Sequence, residues 1–466
     1  MIKSILDAGI TLSGLSAATL LGGCATTTKM DKRKPSSVGN YKFTALKSDR
    51  IAIIGAGAAG ISAAHFLRER GFKNIVVFEE LPRMGGKCCS VKIDDLVYDM
   101  GAVFTTSSYT EVISLAERFQ VSLGNLQGDD PAVILDKTSP NFYSSSLIDR
   151  AALLGVASEY LLKINSNIYP FAFEPGFGNL DRRLMVPFSE WLDKNSISPK
   201  TLDSFFGYTF TPFGYGYANQ VPAAYAIKYY ESKLVTSLIQ QSSHLRMVKD
   251  GYQTLWEKVA AGMEVRLNSG VEKVVRNERE KTIQIFTKGS GTAEVFDWMI
   301  LTCPLDQSLK FLDSTPTERD IFSRIKNYYY YSFEIETPEN FPSTGFLPIN
   351  YSQERQEHPL CWLKRWKNKN ISIFYVLSDT PNNFESILKN TYVDLAQKKF
   401  KLRKIRDAKC WKYFPHFNTA DLQNKIYDNL ESLQGDKNTL YAGEIMNFST
   451  VELTTRFSKH LVERYF

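Results

Sequence analysis

Glycines at Gly55, Gly57 and Gly60, a carboxylate at Glu79, and a second glycine pair ahead of a cation at Gly85-Gly86-Lys87 are residues that can hold a dinucleotide. In the spacing G-x-G-x-x-G, the first glycine makes a tight turn. The second lets backbone approach a pyrophosphate, and the third lets a helix pack closely on the strand before it. Ala58 opens that helix, whose free amides and dipole face the phosphates. A carboxylate at the end of the next strand can accept both ribose hydroxyl protons.

These side chains need a strand, a helix and a second strand to position them, and the flanking sequence supplies all three. Ile51–Ile54 is a short apolar run suited to a parallel strand buried on both faces. The helix that follows carries Ala64 and Leu67 on its inner face and stops at Gly71. "IVVFE" is a second parallel strand ending at Glu79. A lone glycine motif is weak evidence; strand, glycines, helix, strand and terminal acid in order are specific.

Five residues separate Glu79 from Gly85-Gly86-Lys87, and this run resembles a flavoprotein pattern that covers the pyrophosphate and ribose of FAD. The resemblance extends along the chain. "YDMGA" places Gly101 and Ala102 where such proteins bring backbone against the isoalloxazine ring. A helix and two strand-like runs over 250–277 set Val271 where main-chain groups hold adenine. "DWMILTCPL" matches a strand-then-return segment. "NTLYAGEIMNF" puts Gly443 and Glu444 over the ribityl and pyrophosphate. A helix then points its N-terminus at the carbonyl edge of the flavin, where it stabilises negative charge on the reduced ring.

The chain is therefore identified as a member of the flavin amine oxidase superfamily. The fold class this implies is α/β: a discontinuous Rossmann-like FAD-binding domain plus a mixed α/β substrate domain, in an amine-oxidase/glutathione-reductase-like architecture. The expected FAD-binding pieces are 48–110, 245–305 and 405–466; the substrate domain is 111–244 and 306–404. Two features depart from amine oxidases. The C-terminal "VELTTRFSKHLVERYF" lacks their glycine-rich helix, and "NYYYYSFEIE" has Tyr and Ser where many carry a lysine below the flavin. More specific similarity is to bacterial flavin-dependent polyunsaturated fatty acid double-bond isomerases and cyclopiazonate dehydrogenase-like flavoproteins. It is carried by "GGKC", "LMVPFSEWL", "FTPFGYGYANQVPAAYAIKY", "YFPHF" and "SKHLVERYF".

That resemblance implies a non-covalent FAD that takes a hydride from an activated C–H bond of an apolar, lipid-like substrate. It also implies a channel wall at Phe210–Tyr217, with Phe213 and Tyr215 on the substrate, although core packing is the alternative for these aromatics. Where the fatty acid isomerase carries a carboxylate-binding arginine, this chain has Asp129 and Asp130. The mouth aromatic is replaced around Leu238. An acidic mouth suits a neutral or cationic substrate better than a free fatty acid, so an amine or polyamine oxidase stays open. A non-catalytic anchored flavoprotein is the third alternative.

The 466 residues, 43% hydrophobic and 13% aromatic, suffice for two domains with real cores. Lys plus Arg number 56 against 50 Asp plus Glu, a dispersed excess of +6 with no nucleic-acid footprint. Six scattered cysteines and five histidines suggest neither a disulfide framework nor a metal site. Residues 1–24 read as a lipoprotein signal peptide. Lys3 precedes a short apolar stretch, and Leu21-Gly22-Gly23-Cys24 resembles a lipobox whose Cys24 takes a diacylglycerol. Residues 25–47 read as a flexible tether. A bacterial cell envelope location follows, anchored to the membrane through Cys24, with the cytoplasm as the alternative.

Overall fold

The computed structural model describes residues 45–125, 133–134, 143–144, 150–165, 168–197, 207–231, 233–235 and 245–466. Cys24, Asp129, Asp130 and Leu238 lie outside the described residues.

The Ile51–Ile54 strand lies at the centre of a five-stranded parallel sheet ordered Thr439–Tyr441, Trp298–Leu301, Ile51–Ile54, Ile75–Phe78, Glu264–Arg266. Its side chains are 0–5% exposed, as a strand covered on both faces requires. Each such aliphatic side chain contributes roughly 1.5–3 kcal/mol through burial. The helix Ala58–Glu69 covers one face, with Ala64 and Leu67 fully buried. A three-stranded antiparallel sheet over Val271–Asn277, Thr282–Thr287 and Glu294–Phe296 flanks this layer. The result is the α/β, Rossmann-like architecture the sequence implies.

The C-terminal helix Val451–Tyr465 packs on Ala58–Glu69 without the glycines of amine oxidases. Thr455 and Ser458, both fully buried, supply the close approach instead, and Ser458 Oγ donates to the Ala59 carbonyl at 3.0 Å. Thr450 caps this helix by accepting from the Leu453 amide at 3.1 Å.

The second layer is a seven-stranded sheet ordered Ile405–His416, Lys326–Glu336, Ile371–Ser378, Pro359–Leu363, Thr344–Phe346, Val133–Ile134, Tyr143–Ser144. The tyrosine-rich Lys326–Glu336 strand pairs on both sides over most of its length. This corrects the expected boundary at 405: Ile405–His416 belongs to the substrate sheet, and the chain returns to the nucleotide layer only after it. One face of the sheet packs Tyr331, Phe333, Phe374 and Val376 into a small core of its own, under the helix Phe384–Gln397.

A buried ion network ties the three-stranded sheet to the helix Pro316–Ser323 and to the strand Thr439–Tyr441. Arg276 donates to Glu318 Oε1 at 2.6 Å and Oε2 at 2.8 Å, and to Asp313 at 2.7 Å. The Tyr441 hydroxyl also donates to Glu318. Burial alone would raise the Glu318 carboxyl, but Arg276 overrides it and holds it down at about 2.

Candidate active site

A single cavity of about 1080 Å³ runs between the two layers. Every FAD-site residue expected from the sequence lines it except Gly60: Gly55, Gly57, Ala58, Glu79, Gly85, Gly86, Lys87, Gly101, Ala102, Val271, Gly443 and Glu444. Gly60 has the packing role its position suggests, since a Cβ there would lie 1.9 Å from the Gly55 carbonyl oxygen. Phe213 and Tyr215 also line the cavity.

The two glycine loops meet face to face. Gly85 donates to the Ala56 carbonyl at 2.8 Å, and a Cβ on Gly86 would stand 3.1 Å from Gly57 Cα. Glu79 is buried at the strand end, where its two oxygens accept from the Ala56 amide at 2.8 Å and the Leu81 amide at 2.9 Å. A carboxylate oxygen has a second lone pair, so both remain able to accept from hydroxyls on a ligand. Lys87 Nζ bonds Glu444 Oε1 at 2.5 Å, joining the first nucleotide segment to the last. Glu444 Oε2 is buried with no protein partner. An acceptor left open beside a glycine-lined groove suits a polyhydroxylated phosphate ester such as the ribityl pyrophosphate of FAD.

Gly101 and Ala102 are pinned from two sides. The Ala102 amide donates to the Lys87 carbonyl at 3.0 Å, and a Cβ on Gly101 would come within 1.8 Å of that same oxygen. The preceding carbonyl, of Met100, accepts from Ser332 Oγ and from Trp411 Nε1, each at 2.6 Å. These two donors come from neighbouring strands of the substrate sheet. Sequence reasoning singled out the Ser332 strand only for lacking a lysine and gave Trp411 no role. Strand alternation alone places Tyr330, Ser332 and Glu334 on one face, and that was the available signal.

The far half of the cavity is aromatic. Tyr215, Tyr413, Tyr330 and Tyr375 form a run of stacked rings with successive centroid distances of 5.8, 5.5 and 5.6 Å. Tyr215 sits within an aromatic cluster, 4.7 Å from Tyr229 and 4.8 Å from Phe448, so it both fills core and faces the cavity. Phe213 ends a short 3-10 turn, partly exposed beside Phe104 at 6.0 Å. Burial drives the Tyr215, Tyr330, Tyr375 and Tyr413 hydroxyls far above their ordinary range, so all four stay neutral. Glu79, Lys87, Glu272 and Glu444 lie in the nucleotide segments, whereas Lys310 and, beside Tyr413, Lys412 bring positive charge to the lining from outside them. From Phe104 through Tyr229 and from Tyr330 through Tyr375, the described lining residues are aromatic, aliphatic, Thr, Asn or Cys.

Residues 58–335 match the flavin containing amine oxidoreductase family. The chain belongs to this family. Its members hold a flavin, and the glycine-lined groove described above is built for one. The chain is also similar to a CLA-producing fatty acid isomerase from P. acnes. The two are 28% identical with a TM-score of 0.82, covering 91% of this chain and 100% of that one. An FAD-dependent oxidoreductase, dpasF, of Apiospora sacchari is 22% identical over 93% of this chain and 94% of its own. A polyenoic fatty acid isomerase of Ptilota filicina is 20% identical over 65% of this chain and 66% of its own. Within the family the chain is thus an oxidoreductase-type flavoprotein. Among the described residues, no group of His, Cys, Asp and Glu is arranged to hold a metal ion, and no helix is long and apolar enough to cross a membrane.

Proposed function

We propose that the protein is an FAD-dependent enzyme acting on an activated C–H bond of an apolar, unsaturated, lipid-like substrate. The observation that carries this reading is the change of character along one cavity, from a glycine-lined, charged groove to a hall lined mainly by aromatic and aliphatic side chains. Similarity to two proteins described as fatty acid isomerases supports the same substrate class.

Bound FAD supplies hydride acceptance. The chain's own residues supply position and exclusion of water. Lys87 and Glu444 fix the charged end of the cofactor, and the Met100–Ala102 backbone, held by Ser332 and Trp411, fixes the ring. The run of Tyr330, Tyr375 and Tyr413 rings lines the cavity and gives an extended apolar chain an aromatic wall that excludes water. Anaerobic mixing with unsaturated lipids and with amines, followed at the flavin absorbance, tests the reading. Bleaching by a lipid is expected. Bleaching by a polyamine and by no lipid would overturn it.

We further infer, from the Leu21–Cys24 sequence, that the mature chain begins at a lipidated Cys24 and is held at the bacterial envelope. Mass spectrometry of the native N-terminus checks this, and an unmodified Met1 terminus would exclude it.

A further inference from the structure

The face of the substrate sheet turned toward Met100 carries Glu334, two residues beyond Ser332, fully buried and with neither carboxyl oxygen bonded. Three neighbouring polar atoms, also buried, lack a partner as well: the hydroxyls of Tyr98 and Tyr375, and Arg365 Nε. The fields of Glu334 and Arg365 reach both tyrosines, so these groups form one cluster. Its other polar members are satisfied. Asp99 accepts from Arg365, from Ser90 Oγ at 2.6 Å and from the Tyr252 amide at 2.8 Å, while Ser332 and Trp411 are bonded to Met100. Unpaired polar atoms concentrated at one buried place call for enclosed water, which ordinarily makes two to four bonds in such a site.

The cluster has two ends. At the inner end the Tyr375 ring lines the substrate half of the cavity, stacked on Tyr330. At the outer end Asp407 lies directly opposite Glu334 across the Lys326–Glu336/Ile405–His416 pairing. Its side chain is 28% exposed and is paired with Lys409 Nζ at 3.0 Å.

We propose that Tyr375, enclosed water, Glu334 and Asp407 form a proton path from the substrate cavity to solvent, which fits the enzyme for dehydrogenation as well as double-bond migration. This rests on the reading of the cavity as the substrate site. Moving a hydride between two carbons of one molecule releases no proton. Dehydrogenation breaks two C–H bonds: one hydrogen leaves as hydride to an acceptor of the flavin class, the other leaves as a proton, and a new carbon–carbon double bond forms. Tyr375 Oη takes that proton as it passes its own to water. The water passes one to a Glu334 oxygen as protonated Glu334 passes its own to Asp407, and Asp407 releases one to solvent, so each residue returns to its starting state. Burial, reinforced by Asp407 and opposed by Lys409, pushes Glu334 up to about 8, where it can load and unload near neutrality.

The test uses the flavin-loaded protein. Infrared difference spectra between H2O and D2O at neutral pH are expected to show a protonated carboxylic acid band that titrates near 8 and is lost in Glu334→Gln. Tyr375→Phe is expected to shift this band and slow its H/D exchange several-fold, and to lower the ratio of dehydrogenated to isomerised product. Absence of the band, or wild-type exchange in Tyr375→Phe, would overturn the proposal. The infrared measurements need no substrate, so they stand even if no lipid bleaches the flavin. Should Glu334→Gln fail to fold, the effect of Tyr375→Phe on the wild-type band decides.

Discussion

Trp411 Nε1 donates to the carbonyl of Met100 at 2.6 Å, across 311 residues of sequence. This bond fastens the substrate sheet to the peptide that precedes Gly101, so the aromatic wall and the Gly101–Ala102 backbone are joined directly. Trp411→Phe keeps an aromatic ring and removes the donor, leaving Ser332 to hold the carbonyl alone. The expected cost is about 1 kcal/mol of stability, together with a shifted flavin absorption band. Thermal melts and the visible spectrum of the variant check both. An unchanged spectrum would show that the clamp does not set the ring environment.

The nucleotide groove makes a direct prediction about colour. Gly57 faces Gly86 across the groove, so Gly57→Asp places bulk and negative charge where the proposed FAD pyrophosphate would lie. Purified wild type is expected to be yellow with FAD, and this variant colourless. Glu79→Ala is expected to weaken FAD by roughly 1–3 kcal/mol, the scale for hydrogen bonds to a charged group. Identification of the released flavin and titration of the apoprotein provide the measurement.

The flavin is expected to be bound without a covalent link. Cys410, nearest in sequence to "YFPHF", stands opposite Tyr331 and packs against the separate core of the substrate sheet. Cys88 and Cys303 line the cavity, but burial pushes both thiols up to about 12, which keeps them unreactive. Acid precipitation should leave the colour in the supernatant; colour in the pellet would contradict this.

From these two groups, stability should fall on both sides of about pH 4.5, for opposite reasons. Glu318 is depressed from 4.5 to about 2, so its contribution is complete above 4.5 and fades as pH drops toward 2. Its size is on the order of 3 kcal/mol. Glu334 is raised from 4.5 to about 8, so its contribution is complete below 4.5 and disappears as pH rises through 8. Melting temperatures measured across this span should show Glu318→Gln destabilised at neutral pH with a flatter acid limb. Glu334→Gln should instead flatten the decline between about 4.5 and 8.

Phe213 is partly exposed and faces the cavity beside Phe104. Phe213→Ala should widen the hall and change which carbon of a lipid reacts, with little loss of FAD. Product double-bond position and flavin content read these separately, and an unchanged product would remove Phe213 from the substrate wall.

What could be read in advance divides by sequence distance. Gly55 to Lys87 is one contiguous strand–helix–strand unit whose chemistry and geometry lie in a single stretch, so its residues were identifiable one by one. The tyrosine run is not contiguous: Tyr215, Tyr330, Tyr375 and Tyr413 come from four separate segments, and only the pairing of three strands brings the last three together. Tyr413 was visible within "YFPHF" as part of a resemblance but had no partner to face. The boundary at 405 misled because a strand's residues do not reveal which sheet its edge will join. The C-terminal helix was noted for missing glycines, whereas Thr455 and Ser458 do the same packing with small hydroxyl side chains.

The Lys87–Glu444 pair also has a consequence in time. The parallel sheet is completed by Thr439–Tyr441, and the groove is closed by Gly443 and Glu444, so a chain in which these residues have not yet joined the sheet holds only the first part of the nucleotide groove. Closing the groove is therefore a long-range step of folding, which couples completion of the parallel sheet to completion of the groove.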